Sequence, residues 1–237
     1  MDSEVDLGDL KIEVVRKDIK NLHLGVHPPT GQVRISAPMR LSLDAIRAFA
    51  LTKLGWIKQQ QRKINEQERE PVREFLDRES HYVWGKRFLL KIEESADSQG
   101  IELTQRELIL RVRPGTTKAR MAAILELWYR EQIKATVPEL IEKWAAILKV
   151  EVDRVLVQQM KTRWGGCNPD TGIIRLNTEL ARKPTEYLEY VVIHELVHLL
   201  EPTHNARFIS LMDQSLPNWR QIKDELNRLP LRDEIWS

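Results

Sequence analysis

The segment YVVIHELVHLL, residues 190–200, places two histidines and a glutamate inside an apolar run. On an α-helix, residues four positions apart share one face, so the imidazoles of His194 and His198 project side by side. Two imidazoles at this spacing can bind one metal ion at about 2.0–2.1 Å each. Glu195 lies one position round the same flank, where its carboxylate can reach a water bound to that metal. This H-E-x-x-H arrangement is typical of zinc-dependent hydrolases, in which the glutamate is the general base.

The polar groups of this segment need a compensating partner if the helix is buried. Its apolar flanks predict burial, and unpartnered imidazoles and carboxylates are costly to remove from water. The alternative is an accidental match to the motif in a chain that contains six histidines. A bound metal ion removes the cost, and we therefore interpret the segment as a metal site.

A third histidine, His204, follows the motif in the sequence LLEPTH. In a continuous helix it would lie about 240° round the axis from His198 and about 9 Å further on, away from the metal. Pro202 disfavours helical geometry at Glu201 and has no N–H to donate to the preceding turn, so it predicts the end of the helix. The chain can then fold back and direct His204 to the metal. Three histidines leave one position open for water, which is typical of a catalytic site; the alternative for His204 is a capping or surface role.

Composition and charge narrow the class of protein. The 237 residues carry a formal net charge of +2, which gives no reason to expect a nucleic-acid or membrane surface. There is one cysteine, Cys167, so no intrachain disulfide can form. The acidic segment MDSEVDLGDL does not resemble a signal peptide, and no apolar run reaches the length of a membrane span. We expect a soluble, cytoplasmic protein, and the sequence does not define its oligomeric state.

The first half of the chain is predicted to be rich in β-structure. Residues 1–8 are interpreted as a loose polar tail, and the runs KIEVVRK, NLHLGVH and QVRISAP as strands interrupted at PPTG. Residues 43–68 have apolar side chains at helical spacing, which predicts one long helix with Ser42 as its N-cap. Residues 81–113 return to β-type patterns.

The second half is predicted to place helices around a small sheet. Residues 117–148 have a helical pattern that Pro138 should split or kink. The runs DRVLVQQMKTRW and GIIRLN are strand-like, and GGCNPDT between them is interpreted as a turn-rich loop. Residues 185–200 form the motif helix, and further helical patterns follow His204 and Pro217.

Together these patterns predict the α+β fold class, with a small sheet packed on helices and a β-rich N-terminal half. Residues 1–115 are expected to form the β-rich region with one long helix, and residues 116–237 the hydrolase core. A single continuous domain over residues 10–228 is the alternative.

The stretch KTRWGGC, residues 161–167, offers further candidates for the site. A strand beside the motif helix could bind an extended substrate by edge pairing, near residues 158–164 or 172–177. Arg163 could then hold a carboxylate, a phosphate or a developing oxyanion, and a structural ion pair is an equally supported role.

Four further residues are candidates for a role at the site. Gly165 and Gly166 permit a close approach of the backbone or simply form a turn. Cys167 as a fourth ligand would close the metal site, which we do not favour. Tyr190 shares the helix face of His194, so it packs beside the site or fills the core.

The motif HELVH with His204 at this spacing, followed by NARF, resembles the YgjP-like metallopeptidase family and its SprT and WLM relatives. The segments QQMKTRWGGC, GIIRLNTEL and KPTEYLEYVVIHELVHL are similar to the core of that family, and WIKQQQRK and VWGKRFLLKI to its N-terminal half. The resemblance covers residues 10–228. It implies a zincin-type core with His194, His198 and His204 as metal ligands and Glu195 as the catalytic base.

We therefore predict a metal-dependent hydrolase, in the first place a zinc metallopeptidase that acts on peptide or protein substrates. Zn²⁺ is the expected metal, although three imidazoles also suit Ni²⁺, Co²⁺ or Mn²⁺. One alternative is a nucleotide phosphohydrolase in which Lys161 and Arg163 meet phosphates. The other is a metal-binding module without turnover, against which the intact Glu195 argues. A nucleic-acid partner is not favoured, because the basic stretch RVRPGTTKAR is interpreted as a solvated loop.

Overall fold

The structure, a computed structural model, contains two compact units, Met1–Glu70 and Pro71–Ser237. The second unit includes residues 71–115, which the sequence patterns had grouped with the N-terminal region; the division after residue 115 stays a prediction. The mixture of small sheets and helices confirms the predicted α+β class. The structure describes residues 3–27, 30–66, 74–96, 98–160 and 163–229.

The first unit consists of a four-stranded sheet and two helices, namely β1 (Ser3–Asp6), β2 (Lys11–Lys17), β3 (His23–His27), β4 (Gln32–Pro38), α1 (Leu43–Thr52) and α2 (Leu54–Glu66). The strand order is β1-β2-β4-β3; β2 and β4 are parallel, and the two outer pairs are antiparallel. Alternate side chains of β2 and β4 point to one face, where they form a buried cluster with Ile46, Ala50 and Ile57 of the helices.

The prediction of a loose tail at residues 1–8 was wrong for residues 3–6, which form β1, and residues 1 and 2 lie outside the described residues. This strand pairs with β2 over its whole length, with Ser3 opposite Val14 and Asp6 opposite Lys11. The acidic side chains give this segment no β-type pattern in the sequence. It is a strand because its backbone forms hydrogen bonds with the backbone of β2.

The prediction of one long helix over residues 43–68 was also wrong. Ser42 is the N-cap as expected, and its hydroxyl accepts a hydrogen bond from the Ala45 N–H at 3.2 Å. At Lys53, however, the backbone has φ −107° and ψ 4°, and its N–H donates back to the Ala50 carbonyl. Gly55, a poor helix former, is the second residue of α2, so the helical pattern is weak at this point and is divided between α1 and α2.

The second unit begins with another four-stranded sheet and a long helix, namely β5 (Ser80–Val83), β6 (Lys86–Glu94), β7 (Gly100–Leu103), β8 (Glu107–Val112) and α3 (Lys118–Leu148). Its strand order is β5-β6-β8-β7, again with a parallel central pair between two antiparallel pairs. The two sheets therefore share one topology, although the sequence shows no repeat.

Helix α3 connects this sheet to the rest of the second unit. The Tyr129 hydroxyl donates a hydrogen bond to the Tyr82 carbonyl of β5 at 2.8 Å, and the Tyr129 side chain is fully buried. Pro138 lies inside the helix and does not split it, so the split that the sequence allowed does not occur. The loss of one N–H donor at Pro138 is tolerated, because the packing of α3 outweighs the cost.

The last part of the chain carries the motif helix and comprises β9 (Arg154–Gln158), β10 (Gly165–Asn168), β11 (Ile173–Asn177), a 3-10 helix (Thr178–Arg182), α4 (Thr185–Leu200), α5 (Ala206–Ser215) and α6 (Trp219–Arg228). The strand order is β10-β11-β9; β11 is antiparallel to β10 and parallel to β9. The motif helix is thus confirmed at its predicted bounds. The loop prediction for GGCNPDT was wrong for its first four residues, because pairing with β11 makes them a strand.

Helix α4 lies in the main core of the second unit, against α3, α5, α6 and the strand β10. Its apolar side chains are buried on more than one side, in agreement with the apolar flanks of the motif. Among the described residues, no helix has the combination of length and apolar character that crossing a membrane requires.

A two-residue turn joins β5 to β6 next to the start of α4. Trp84 and Gly85 both have positive φ, 49° and 76°, as this hairpin turn requires. A Cβ on Gly85 would lie 2.8 Å from the Pro184 Cγ, whereas a Cβ on Gly115, which has a similar φ of 77°, would meet nothing within 4 Å. Gly85 and Gly115 therefore share a backbone conformation and differ in the contact that a Cβ would make.

We predict that Gly115→Ala lowers the free energy of unfolding by about 1 kcal/mol through backbone strain alone. Gly85→Ala adds the collision with Pro184, for a total of about 2–4 kcal/mol. Urea denaturation of both variants measures the difference. Equal losses would show that the turn does not pack on the start of α4.

Candidate metal centre

Helix α4 places two histidines of the motif on one face. The ring centroids of His194 and His198 are 4.8 Å apart, as expected for residues one turn apart. The largely apolar side chains of the helix favour its burial in the core. The negative charge of Glu186 in the first turn stabilises the helix by its interaction with the positive end of the helix dipole. It is held in place by the burial of Tyr187, Leu188, Tyr190, Val191, Val192, Ile193, Leu196 and Val197.

The helix ends where the sequence predicted, and the chain returns to the same face. Glu201 is the C-cap, with φ −144° and ψ 99°, and its N–H donates to the Val197 carbonyl. After Pro202 the chain turns back, so that the Nε2 atoms of His204 and His194 are 3.1 Å apart. One ligand atom from each of the three histidines lies within 4.8 Å of the others.

The nitrogen atoms of this cluster fit a single divalent metal ion. Two nitrogens at about 2.0–2.1 Å from one tetrahedral ion are separated by about 3.3 Å, close to the His194–His204 distance. The Nδ1 of His198 lies 3.1 Å from the Glu201 carbonyl, and this hydrogen bond leaves Nε2 free to bind. The Nδ1 of His194 is buried and has no hydrogen-bond partner among the described residues.

The surroundings of His194 and His204 lower the pKa of both imidazoles and so favour the neutral form that a metal requires. Burial lowers the pKa of His194 to about 3, and the neighbouring His198 and His204 add to the effect. The pKa of His204 is lowered by burial, then by His198 and Lys223. Neutral imidazoles keep the lone pairs that bind a cation, so the chemistry of the donor set agrees with the distances.

Phe208 forms an apolar support under the histidine cluster. Its ring centroid lies 5.0 Å from that of His194, 4.8 Å from that of His198 and 4.6 Å from that of His204. Asn205 caps α5 and accepts a hydrogen bond from the Phe208 N–H at 3.1 Å, which fixes the start of that helix. Phe208 falls within the helical pattern that follows His204, and nothing in its spacing distinguishes it from a core residue.

Glu195 lies directly beneath the first residue of β10. A Cβ on Gly165 would lie 2.7 Å from the Glu195 Oε1 and 2.7 Å from the Val191 Cγ1, closer than real side-chain contacts. Of the two interpretations of Gly165, the structure therefore shows the close backbone approach. Burial raises the pKa of the Glu195 carboxyl to about 8, and the charge of Arg163 acts in the opposite direction.

The other residues that were predicted for the site are not part of the histidine cluster. The Arg163 side chain is exposed, and its electrostatic effect on Glu195 connects it with the site. Lys161 lies outside the described residues. Cys167 is half-buried in β10 and not part of the histidine cluster; burial, then Glu195, raises its pKa to about 11. Tyr190 packs beside the site, with its ring centroid 5.7 Å from that of His194.

Lys223 of α6 is a residue near the site that no motif in the sequence indicates. It is exposed, and its positive charge contributes to the lowered pKa values of His194 and His204. Because α6 packs against α4 only in the folded chain, no pattern in the sequence indicates this proximity.

The three histidines and the adjacent Glu195 have the arrangement that is typical of metal-dependent hydrolases, and comparisons with known proteins test this class. A family model described as YgjP-like, metallopeptidase domain, matches residues 20–229. The chain therefore belongs to the YgjP-like metallopeptidase domain family, which confirms the resemblance predicted from its motifs and supports a metal-dependent peptidase. No curated protein matches the chain.

Two solved structures are similar to part of this chain. The metallopeptidase zymogen of Pyrococcus abyssi abylysin is 25% identical, with a TM-score of 0.36, over 38% of this chain and 91% of that chain. The zymogen of Methanocaldococcus jannaschii jannalysin is 20% identical, with a TM-score of 0.35, over 38% of this chain and 92% of that chain.

The two glycines of β10 predict opposite outcomes for the same substitution. Gly165→Ala should lower the free energy of unfolding by about 1–3 kcal/mol, because its methyl group collides with Val191 and Glu195. Gly166→Ala should change it by no more than about 0.5 kcal/mol, because a Cβ there meets nothing within 4 Å. Urea denaturation checks both; similar losses would mean that β10 is not packed as tightly on α4.

Proposed function

We propose that this protein is a metal-dependent peptidase in which His194, His198 and His204 bind one divalent ion and Glu195 is the general base. The observation that carries this proposal is the convergence of three imidazole nitrogens within 4.8 Å, with the Glu195 carboxylate on the adjacent helix position. Membership of a metallopeptidase domain family supports it. Zn²⁺ is the first candidate, and Ni²⁺, Co²⁺ and Mn²⁺ also accept three imidazoles.

In the proposed mechanism each side chain of the site has a separate role. The bound ion would supply acidification of a water and polarisation of the substrate carbonyl. Glu195 accepts the proton of the attacking water at its carboxylate and returns it to the leaving amine nitrogen. The Glu201 carbonyl holds His198 in one orientation through Nδ1.

The proposed substrate lies extended along the outer side of β10. Of the two segments expected from the sequence, residues 172–177 are excluded, because β11 pairs with strands on both sides. In the other segment, residues 158–164, Gln158 is the last residue of β9 and Trp164 immediately precedes β10. β10 is the terminal strand of its sheet and contacts α4 at Glu195, so a peptide paired with it would pass the carboxylate.

Removal of the third histidine tests the metal site. We predict that His204→Ala lowers the affinity for Zn²⁺ by at least about a hundredfold, because the two remaining imidazoles leave the coordination incomplete. The exposed His23 in β3 is the matched control, and His23→Ala should bind as the wild type does. Calorimetric titration of the metal-free proteins measures both affinities. Full affinity of His204→Ala would remove this residue from the ligand set.

The general base is tested by an isosteric change. Glu195→Gln should retain the metal and lose hydrolysis by about 10²–10⁴-fold, because an amide cannot accept the proton. The matched control is Glu186→Gln, an exposed position in the first turn of the same helix. Cleavage of denatured casein measures activity, and metal analysis measures occupancy. Near wild-type cleavage by Glu195→Gln would refute the assignment.

The substrate class is tested by comparing denatured casein with nucleoside triphosphates. We expect casein cleavage that depends on Glu195, without nucleotide turnover, and at most about a tenfold loss in Arg163→Ala, because backbone pairing does not need this cation. A nucleotide phosphohydrolase would instead need cationic neutralisation of the phosphates. Glu195-dependent nucleotide turnover that Arg163→Ala abolishes, with casein left intact, would therefore overturn the peptidase proposal.

A further inference from the structure

Asn177, the last residue of β11, makes an unusually complete set of hydrogen bonds. Its side chain is fully buried. Its Nδ2 donates to the Met160 carbonyl at 2.7 Å and to the Arg163 carbonyl at 2.8 Å. Its Oδ1 accepts from the Met160 N–H at 3.3 Å and from the Glu179 N–H at 3.2 Å. One carboxamide thus uses both of its donors and both acceptor positions on backbone groups.

These bonds fix the segment that leads into β10. The Asn177 N–H also donates to the Trp164 carbonyl at 2.9 Å, so the chain is held at residues 160, 163 and 164 by one residue. Gly165 comes next and pairs with Leu176, the neighbour of Asn177. The position of Gly165 is therefore set directly by the end of β11.

The position of Gly165 matters because it has no spare room above Glu195. A Cβ there would lie 2.7 Å from the Glu195 Oε1, which shows how closely the backbone approaches the carboxylate. A shift of β10 by about 1 Å would press on this side chain or leave it unsupported, and displacements of this size are costly in active sites.

Capping of the 3-10 helix does not account for all of these bonds. A cap needs only an oxygen that accepts from a nearby N–H, here that of Glu179, and aspartate or serine would serve equally well. The two bonds to the Met160 and Arg163 carbonyls require two N–H donors on one side chain, and a carboxamide meets that need at this position.

We propose that Asn177 is a positioning residue of the candidate active site, which holds Met160, Arg163 and Trp164 so that Gly165 lies against Glu195. This inference rests on the proposed function for its effect on hydrolysis. Its structural half, the attachment of the segment before β10, is independent of that function.

The change Asn177→Asp separates the two roles of this residue. It keeps the shape and the oxygen that caps Glu179 but replaces two donors with an oxygen that faces two carbonyls. Hydrogen–deuterium exchange of residues 163–168 should become faster by about tenfold or more, while exchange in α3 stays unchanged. Asn218→Asp, an exposed position at the start of α6, is the matched control and should leave exchange in residues 163–168 as in the wild type. Unchanged exchange in Asn177→Asp would refute the attachment.

A second variant covers the case in which Asn177→Asp does not fold. Asn177→Ser keeps a capping oxygen and one donor, but its shorter side chain cannot reach both carbonyls, so it should accelerate the same exchange. Protection equal to that of the wild type in a folded Asn177→Ser protein would equally refute the attachment.

The effect on hydrolysis is tested by combining substitutions in the Zn²⁺-loaded full chain. Asn177→Asp should lower kcat for casein cleavage by about tenfold or more, with a smaller change in KM, while Zn²⁺ affinity stays within about threefold. In the Glu195→Gln background the same substitution should have no further effect, because the base it positions is gone. Equal losses in both backgrounds would show a general structural role and overturn the proposal. Absence of cleavage by the wild type would refute the proposed function, a failure that the exchange measurements distinguish from that of Asn177.

Discussion

The packing of β10 on α4 brings a strand backbone into contact with the Glu195 carboxylate, and the chemistry proposed for the site depends on this contact. Only a residue without a side chain fits at Gly165, where a Cβ would collide with Glu195 and Val191. The same packing removes Glu195 from water and raises its pKa to about 8. The strand that packs on Glu195 is also the terminal strand of its sheet. Proton transfer and substrate alignment are therefore proposed to depend on one interface.

The geometry of the three histidines was predictable because it follows local rules. The helical period places His194 beside His198, and Pro202 ends the helix before His204. All of this lies within a few turns of chain, where backbone geometry leaves few alternatives. The bounds of α4 and the cap at Ser42 followed from equally local signals. Ligation by the three histidines stays a proposal, but their convergence was readable from spacing.

Other features depend on a pairing or packing partner that the segment's own sequence does not indicate, and the sequence patterns missed them. The glycines of β10 become a strand because β11 pairs with them, although glycine alone disfavours strands. The acidic β1 is likewise defined by its partner β2. Phe208 and Lys223 reach the histidines only through the packing of α5 and α6 on α4. Propensity is a weak prior in such cases, because tertiary contacts override it.

The shared topology of the two four-stranded sheets has a consequence for folding kinetics. Each sheet is completed within one short contiguous segment, residues 3–38 for the first and residues 80–112 for the second. Loops of this length close at low entropic cost, and a low contact order favours rapid folding. During synthesis the first sheet can form before the histidine cluster has been translated, since domains fold as units from the N-terminus. Both sheets therefore precede the histidine cluster in the order of synthesis.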